Sequence, residues 1–187
     1  RIWTDLSVPK DQVRQYVRIS RECGLEPIPL VQSLGHSEWM FKNGANRDLA
    51  EDPAHPYAYA ATDPRVYAYM SRVYDEACEL FQPLKYFHIG HDEVTMTGEY
   101  PHREESKRWG VTKLFTSDVN KWRDHFATRD ASVMLWGDML LHKSECTDAG
   151  NAQTIEEAKK RREAVAKDVI ICDWHYDVAP PEQYKSL

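Results

Sequence analysis

No apolar run in this 187-residue sequence approaches the roughly 20 residues a helix needs to cross a bilayer, so no membrane span is expected. A C-x-x-C pair is also missing. Cys23, Cys78, Cys146 and Cys172 are widely scattered, which removes ordinary zinc-finger spacing and makes free, mostly buried thiols the expectation. Neither G-x-G-x-x-G nor G-x-x-x-x-G-K-[ST] occurs, which argues against a phosphate-cradling nucleotide site. Positive charge is in deficit, with a formal net charge of −6, and that argues against nucleic acid as a partner. The basic run Lys159-Lys160-Arg161-Arg162 lies among glutamates and reads as the wet face of a helix. No signal peptide is visible, but the sequence opens at Arg1. The compartment stays unknown, with a secreted or periplasmic setting slightly favoured.

What is present is an alternation of helical and strand patterns in a length suited to one buried domain. Val13, Tyr16, Val17 and Cys23 recur at helical spacing before Gly24, a natural stop. Ile28, Leu30 and Val31 read as a buried strand. A long Pro-, Asn- and Asp-rich stretch over residues 42–62 then suggests a functional excursion rather than a plain connector. Asp63-Pro64 supplies a cap and a first-turn proline for a helix through Tyr67, Met70, Tyr74 and Phe81. "LKYFHI", "SVMLW" and "DVIICDW" are the later strands. Between them lie a polar stretch with a short helix up to Gly110, an amphipathic helix through Phe115, Trp122 and Phe126, and a helix opened by the Thr154/Glu157 capping box.

Strands alternating with helices predict an α/β fold with parallel strands: a doubly wound sheet or part of a (β/α)8 TIM barrel. The strand ends favour the barrel. They read "SLGHSEW", "GHDEV", "WGDM" and "CDWHY", so polar and aromatic residues gather just past each strand, where barrel active sites lie.

Within "FHIGHDEV", Asp92 and Glu93 are adjacent carboxylates at the end of an apolar run. Strand alternation puts His88, Gly90 and Asp92 on one face and Ile89, His91 and Glu93 on the other. Both carboxylates can serve one ligand only where the strand ends or twists. A partly buried Glu beside a second carboxylate suits a general acid, and an ionised Asp suits stabilising a cationic centre. Paired carboxylates with split roles are what glycosidic cleavage uses.

"FHIGHDEV" resembles the His-x-Gly-Gly-Asp-Glu signature of glycoside hydrolase family 20, the β-N-acetylhexosaminidases. "IPLVQSLGHSEWM", "VMLWGDM" and "VIICDWHYD" resemble its other strand ends, in order, from about Val8 to Asp177, with the N-acetylglucosaminidase-like branch nearest. The resemblance implies a retaining, substrate-assisted reaction in which the 2-acetamido oxygen attacks its own anomeric carbon. It makes Glu93 the proton donor and Asp92 the partner of the acetamide. His36 would position the acid. Trp136 and Trp174 would wall the sugar, Tyr176 would bond the acetamide oxygen, and Asp138 and Asp173 would bind hydroxyls. His88 and His91 would support the pocket, and no metal or organic cofactor is implied. His91 departs from the family's second glycine. By strand parity it faces away from Asp92, to pack between strand and helix, narrow the pocket or contact Glu93.

Residues 1–187 would then form one segment of such a barrel, without its first and last strands, and the rest of the parent catalytic domain would be its partner. The expected substrates are β-linked N-acetylhexosamine (GlcNAc or GalNAc) glycans. Two alternatives stay open: a non-catalytic carbohydrate-binding fragment, and a metal-dependent hydrolase using His88, His91, Asp92 and Glu93.

Overall fold

A computed structural model of the protein describes residues 7–176. Its elements run α1 (Lys10–Glu22), β1 (Leu30–Ser33), α2 (Pro64–Leu80), β2 (Tyr86–Gly90), α3 (Glu104–Ala127), β3 (Ser132–Trp136), α4 (Ile155–Ala164) and β4 (Ile170–Cys172). Short 3-10 turns at Ser37–Gly44, Arg47–Leu49 and Asp138–Leu140 fold the long strand-to-helix connections. No helix among the described residues is long and apolar enough to cross a membrane.

The four strands form one parallel sheet in the order β1-β2-β3-β4, with registers Leu30↔His88, His88↔Met134 and Met134↔Ile170. A doubly wound sheet reverses strand order at a switch point, and there is no reversal among the described strands. Sequential parallel strands with intervening helices form an arc of a (β/α)8 barrel.

Apolar residues on one face of the sheet explain how the helices attach. Phe87, Ile89, Val133 and Leu135 are buried beneath α2 and α3. The helix α2 buries Val66, Met70, Tyr74 and Cys78, a four-residue spacing that keeps one stripe on the sheet. Asp63 caps it by accepting the Arg65 N–H at 2.9 Å. Phe87 stacks on Phe126 at 4.3 Å between centroids, and Tyr74 meets Trp122 edge-on at 4.6 Å.

Four details differ from the sequence expectations. Ile28, Leu30 and Val31 read as a buried strand, but Ile28 and Leu30 are exposed and Val31 part-buried, because β1 is an edge of the described sheet. The helix α3 starts at Glu104 and passes through a break at Gly110 (φ 74°), so the expected loop and helix are one broken element. In α1 only Val17 is buried, while Tyr16 is exposed, because no described element covers that face. The basic run on α4 is not all wet. Arg161 is fully buried, its Nη1 donating to the Met139 carbonyl at 2.9 Å, and Arg162 pairs with Glu145 at 2.9 Å. These arginines dock α4 onto the turn that follows β3. All four cysteines are free: Cys78 and Cys146 are buried, Cys172 half-buried and Cys23 exposed.

Candidate active site

The chain leaves β2 through a left-handed stretch. Gly90, His91 and Glu93 have φ values of 75°, 69° and 49°. Glycine at position 90 carries its φ of 75° without strain, and a Cβ there would lie 1.5 Å from Gln32 Oε1 and displace that amide. Gln32, on β1, in turn donates from Nε2 to Asp92 Oδ1 at 3.1 Å. Close packing of two strand ends thus holds the first carboxylate.

The second carboxylate is brought beside it by the turn rather than by strand alternation. His36 Nε2 lies 3.1 Å from Glu93 Oε2 and 3.5 Å from Asp92 Oδ2. One imidazole therefore touches both members of the pair. Tyr57, from the long loop after β1, meets the His36 ring edge-on at 5.1 Å and donates its hydroxyl to the Glu93 carbonyl at 3.0 Å. Burial, with Glu93 and Asp92 nearby, pushes the Tyr57 hydroxyl pKa well up, so it remains a donor.

Asp138, expected to bind sugar hydroxyls, is placed between three strand ends. Its carboxylate is fully buried and accepts the Glu93 backbone N–H at 2.9 Å, Asn151 Nδ2 at 2.9 Å and Trp174 Nε1 at 3.4 Å. With those three donors it ties the ends of β2, β3 and β4 together. Burial pushes its pKa up to about 6, against the three donors, which pull it down.

His88 is buried, with its ring 4.3 Å from Trp136. Its Nδ1 accepts the Gly90 N–H at 3.0 Å, which assigns the proton to Nε2. Burial lowers its pKa to about 4, so the ring is neutral at neutral pH. Nε2 is buried with no protein partner among the described residues.

His91 sits on the far side, between β1 and α3. Its Nδ1 contacts Ser33 Oγ at 2.7 Å, and its Nε2 lies 2.9 Å from Asp118 Oδ2, at hydrogen-bond distance without the alignment. Phe115 meets the ring edge-on at 5.5 Å. Asp118 also accepts from Tyr59 and Tyr67, each at 2.7 Å. His91 is thus directed away from Asp92 and Glu93, and the set His88, His91, Asp92 and Glu93 does not converge on one ion. The residues whose ligand atoms do gather there are His36, Asp92 and Glu93, all within 4.8 Å of one another.

Trp174 is part-buried, and Tyr176 is 87% exposed with its ring edge-on to Trp174 at 5.2 Å. Asp173 turns one oxygen to His175 Nε2, at 2.8 Å, instead of presenting both to a ligand. Sequence reasoning missed Gln32, Tyr57, Asn151 and Asp118. Only Tyr57 carried a signal, through the unusual length of its loop.

The chain that carries this strand end has counterparts among known proteins. The profile for "Glycosyl hydrolase family 20, catalytic domain" matches residues 11–183. The chain belongs to glycosyl hydrolase family 20. Human hexosaminidase D (Homo sapiens) is 29% identical over 155 residues, covering 78% of this chain and 31% of that protein. Hexosaminidase D of Bos taurus is 28% identical over 137 residues, covering 69% of this chain and 39% of that protein. The family 20 exo-β-N-acetylglucosaminidase of Vibrio harveyi, solved in complex with N-acetylglucosamine, superposes with a TM-score of 0.64 at 19% identity. It covers 92% of this chain and 27% of the Vibrio chain. Dispersin B gives a TM-score of 0.64 at 18% identity, over 95% of this chain and 46% of its own. The family 20 chain described here therefore spans about a third of the hexosaminidase D sequences, and the structural likenesses speak to its barrel fold.

Proposed function

We propose that the protein containing this chain is a β-N-acetylhexosaminidase that removes terminal β-linked N-acetylhexosamine with retention of configuration. The observation that carries this reading is the convergence of Asp92 and Glu93 on His36, in a member of family 20. The similarity to hexosaminidase D and to an exo-β-N-acetylglucosaminidase supports the same substrate class.

In the proposed reaction the acetamide carbonyl oxygen of the substrate attacks its own anomeric carbon as the bond to the leaving oxygen breaks. Glu93 gives its proton to that oxygen. Asp92, held by Gln32, accepts the acetamide N–H and balances the positive charge of the oxazolinium ion. Glu93, now a carboxylate, takes a proton from water as the water adds to the anomeric carbon and reopens the ring. His36 orients both carboxylates, and Asp138 fixes the Glu93 backbone. Trp136 and Trp174 form the sugar's walls, and His88 Nε2–H is a donor for a hydroxyl. Tyr176 is the remaining candidate for the acetamide oxygen.

The four strands make half of an eight-stranded barrel. Exposed Ile28 and Leu30 before and on β1, and Ile170 on β4, are apolar residues at the two open edges that further barrel strands would cover. We take the active unit to be the whole barrel. A chromogenic β-N-acetylglucosaminide assay on the full-length protein tests the proposal. Glu93→Gln and Asp92→Asn are each expected to lose about a thousandfold or more in kcat, as removal of a proton donor or a charge stabiliser does. Unchanged rates in both would remove the pair from the reaction.

A further inference from the structure

A second cluster lies where the loop after β3 meets the segment after β4. Cys146 is fully buried in a small core with Leu141 and Ala149, against which Trp174 packs. Its loop is tightly folded. Cys146 N–H donates to the His142 carbonyl at 3.0 Å, Ala152 N–H to the Leu141 carbonyl at 2.8 Å, and a Cβ on Gly150 would lie 2.6 Å from the His142 carbonyl. Cys146 Sγ is 3.4 Å from Asp148 Oδ1 and 3.5 Å from His175 Nδ1, and these two atoms are 2.9 Å apart.

The two separations from sulfur match the edges of a zinc coordination tetrahedron, and the third is a hydrogen-bond distance that widens by about 0.4 Å when an ion replaces the shared proton. With zinc bonds of about 2.3 Å to sulfur and about 2.0–2.1 Å to nitrogen and oxygen, tetrahedral angles give edges of about 3.5 Å for S–O, 3.6 Å for S–N and 3.3 Å for N–O. A second feature points the same way. The other nitrogen of His175 faces Asp173 Oδ2 at 2.8 Å, the carboxylate–histidine arrangement that orients a metal-bound imidazole. Asp148 Oδ2 accepts the Tyr176 backbone N–H at 2.9 Å, which directs its other oxygen to the shared point.

We propose that Cys146, Asp148 and His175 bind one zinc ion, which clamps the loop after β3 to the segment carrying Trp174. A thiolate, an imidazole and a carboxylate together suit zinc, while calcium and magnesium take oxygen ligands. On binding, the Cys146 thiol gives its proton to solvent and the sulfur lone pair forms the Zn–S bond, with no change in oxidation state. Water fills the fourth position. His175 lies 29 residues beyond Cys146 and 27 beyond Asp148, across α4 and β4, which is why no zinc spacing is visible in the sequence. The site is separate from the carboxylate pair and takes no part in glycoside cleavage.

The test is metal analysis of the purified full-length protein, followed by replacement of the metal with cobalt. About one zinc per chain is expected, falling about tenfold or more in Cys146→Ser and His175→Gln. Asp173→Asn is expected to keep zinc with about 10- to 100-fold weaker affinity. The cobalt form is expected to show a thiolate-to-cobalt charge-transfer band that disappears in Cys146→Ser. Glu93→Gln should keep its zinc while losing hydrolysis, which separates this proposal from the catalytic one. Failure to take up zinc from a buffered micromolar solution would overturn it, as would undiminished zinc in Cys146→Ser. Should either variant unfold by circular dichroism, the wild-type cobalt spectrum decides. A spectrum without the thiolate band contradicts the site.

Discussion

Glu93 donates its backbone N–H to Asp138 Oδ2 at 2.9 Å, so the residue proposed as the proton donor is held by a buried carboxylate from the next strand end. That bond fixes a backbone with φ of 49°, a conformation that a glutamate does not adopt without support. In Asp138→Asn, one acceptor oxygen is replaced by an amide that faces the N–H donors of Glu93, Asn151 or Trp174. Steady-state kinetics should show kcat lower by about 10- to 100-fold with KM changed less, the cost of misplacing a catalytic group by a fraction of an ångström. A variant that loses KM alone would make Asp138 a sugar ligand instead.

The same residue should make stability depend on pH. Its pKa is raised from 3.8 to about 6, mainly by burial, so between those values the folded state holds a proton that the unfolded state has lost. Stability therefore falls as pH rises from about 4 to about 6, by about 3 kcal/mol from this group. Urea denaturation at several pH values, on wild type and Asp138→Asn, isolates this contribution. The expected difference between the two proteins shifts in the variant's favour as pH rises through that window. A constant difference would mean that Asp138 ionises as freely folded as unfolded.

His91 occupies a left-handed position, and its ring fills a buried space between Ser33, Phe115 and Asp118. Substituting glycine relieves backbone strain of about 1 kcal/mol but empties that space, so His91→Gly should lose about 2 kcal/mol of stability overall. Chemical denaturation measures this. Activity of the folded variant should stay within about tenfold of wild type, because the ring is directed away from the pair. A folded variant with no activity would place His91 in the reaction.

Much of this arrangement was legible in the sequence. Apolar spacing marked the four strands and the helices between them, and the motif at Gly90–Glu93 marked the strand end where the two carboxylates meet His36. Alternation put His91 on the side away from Asp92, but it also separated Asp92 from Glu93. The left-handed turn, which periodicity does not encode, is what returns both to His36. Asp138 read as a ligand because polar residues at barrel strand ends face the pocket; its burial depends on donors 13 and 36 residues away. Arg161 read as solvent-facing for a similar reason, since the carbonyl that it meets on the turn after β3 leaves no trace in composition.

Gly90 offers a test of how the strand ends support each other. Alanine at this position combines a φ of 75° with a Cβ 1.5 Å from Gln32 Oε1, so Gln32 must leave Asp92. Gly90→Ala should cost about 2 kcal/mol or more in stability and lower kcat as well. Thermal or urea unfolding beside the chromogenic assay reads both. Wild-type values for both would show that Gln32 does not hold Asp92.

The central claim is that Asp92 and Glu93 assist a nucleophile belonging to the substrate. The most direct measurement is kcat/KM of the full-length protein on β-glucosaminides whose 2-acetamido group carries zero, one, two or three fluorines. Fluorination weakens the carbonyl oxygen as a nucleophile and leaves its shape nearly unchanged. The account predicts a monotonic fall in kcat/KM along the series and no turnover of the matching glucoside lacking the 2-acetamido group. Rates independent of fluorination, or efficient cleavage of that glucoside, would contradict it.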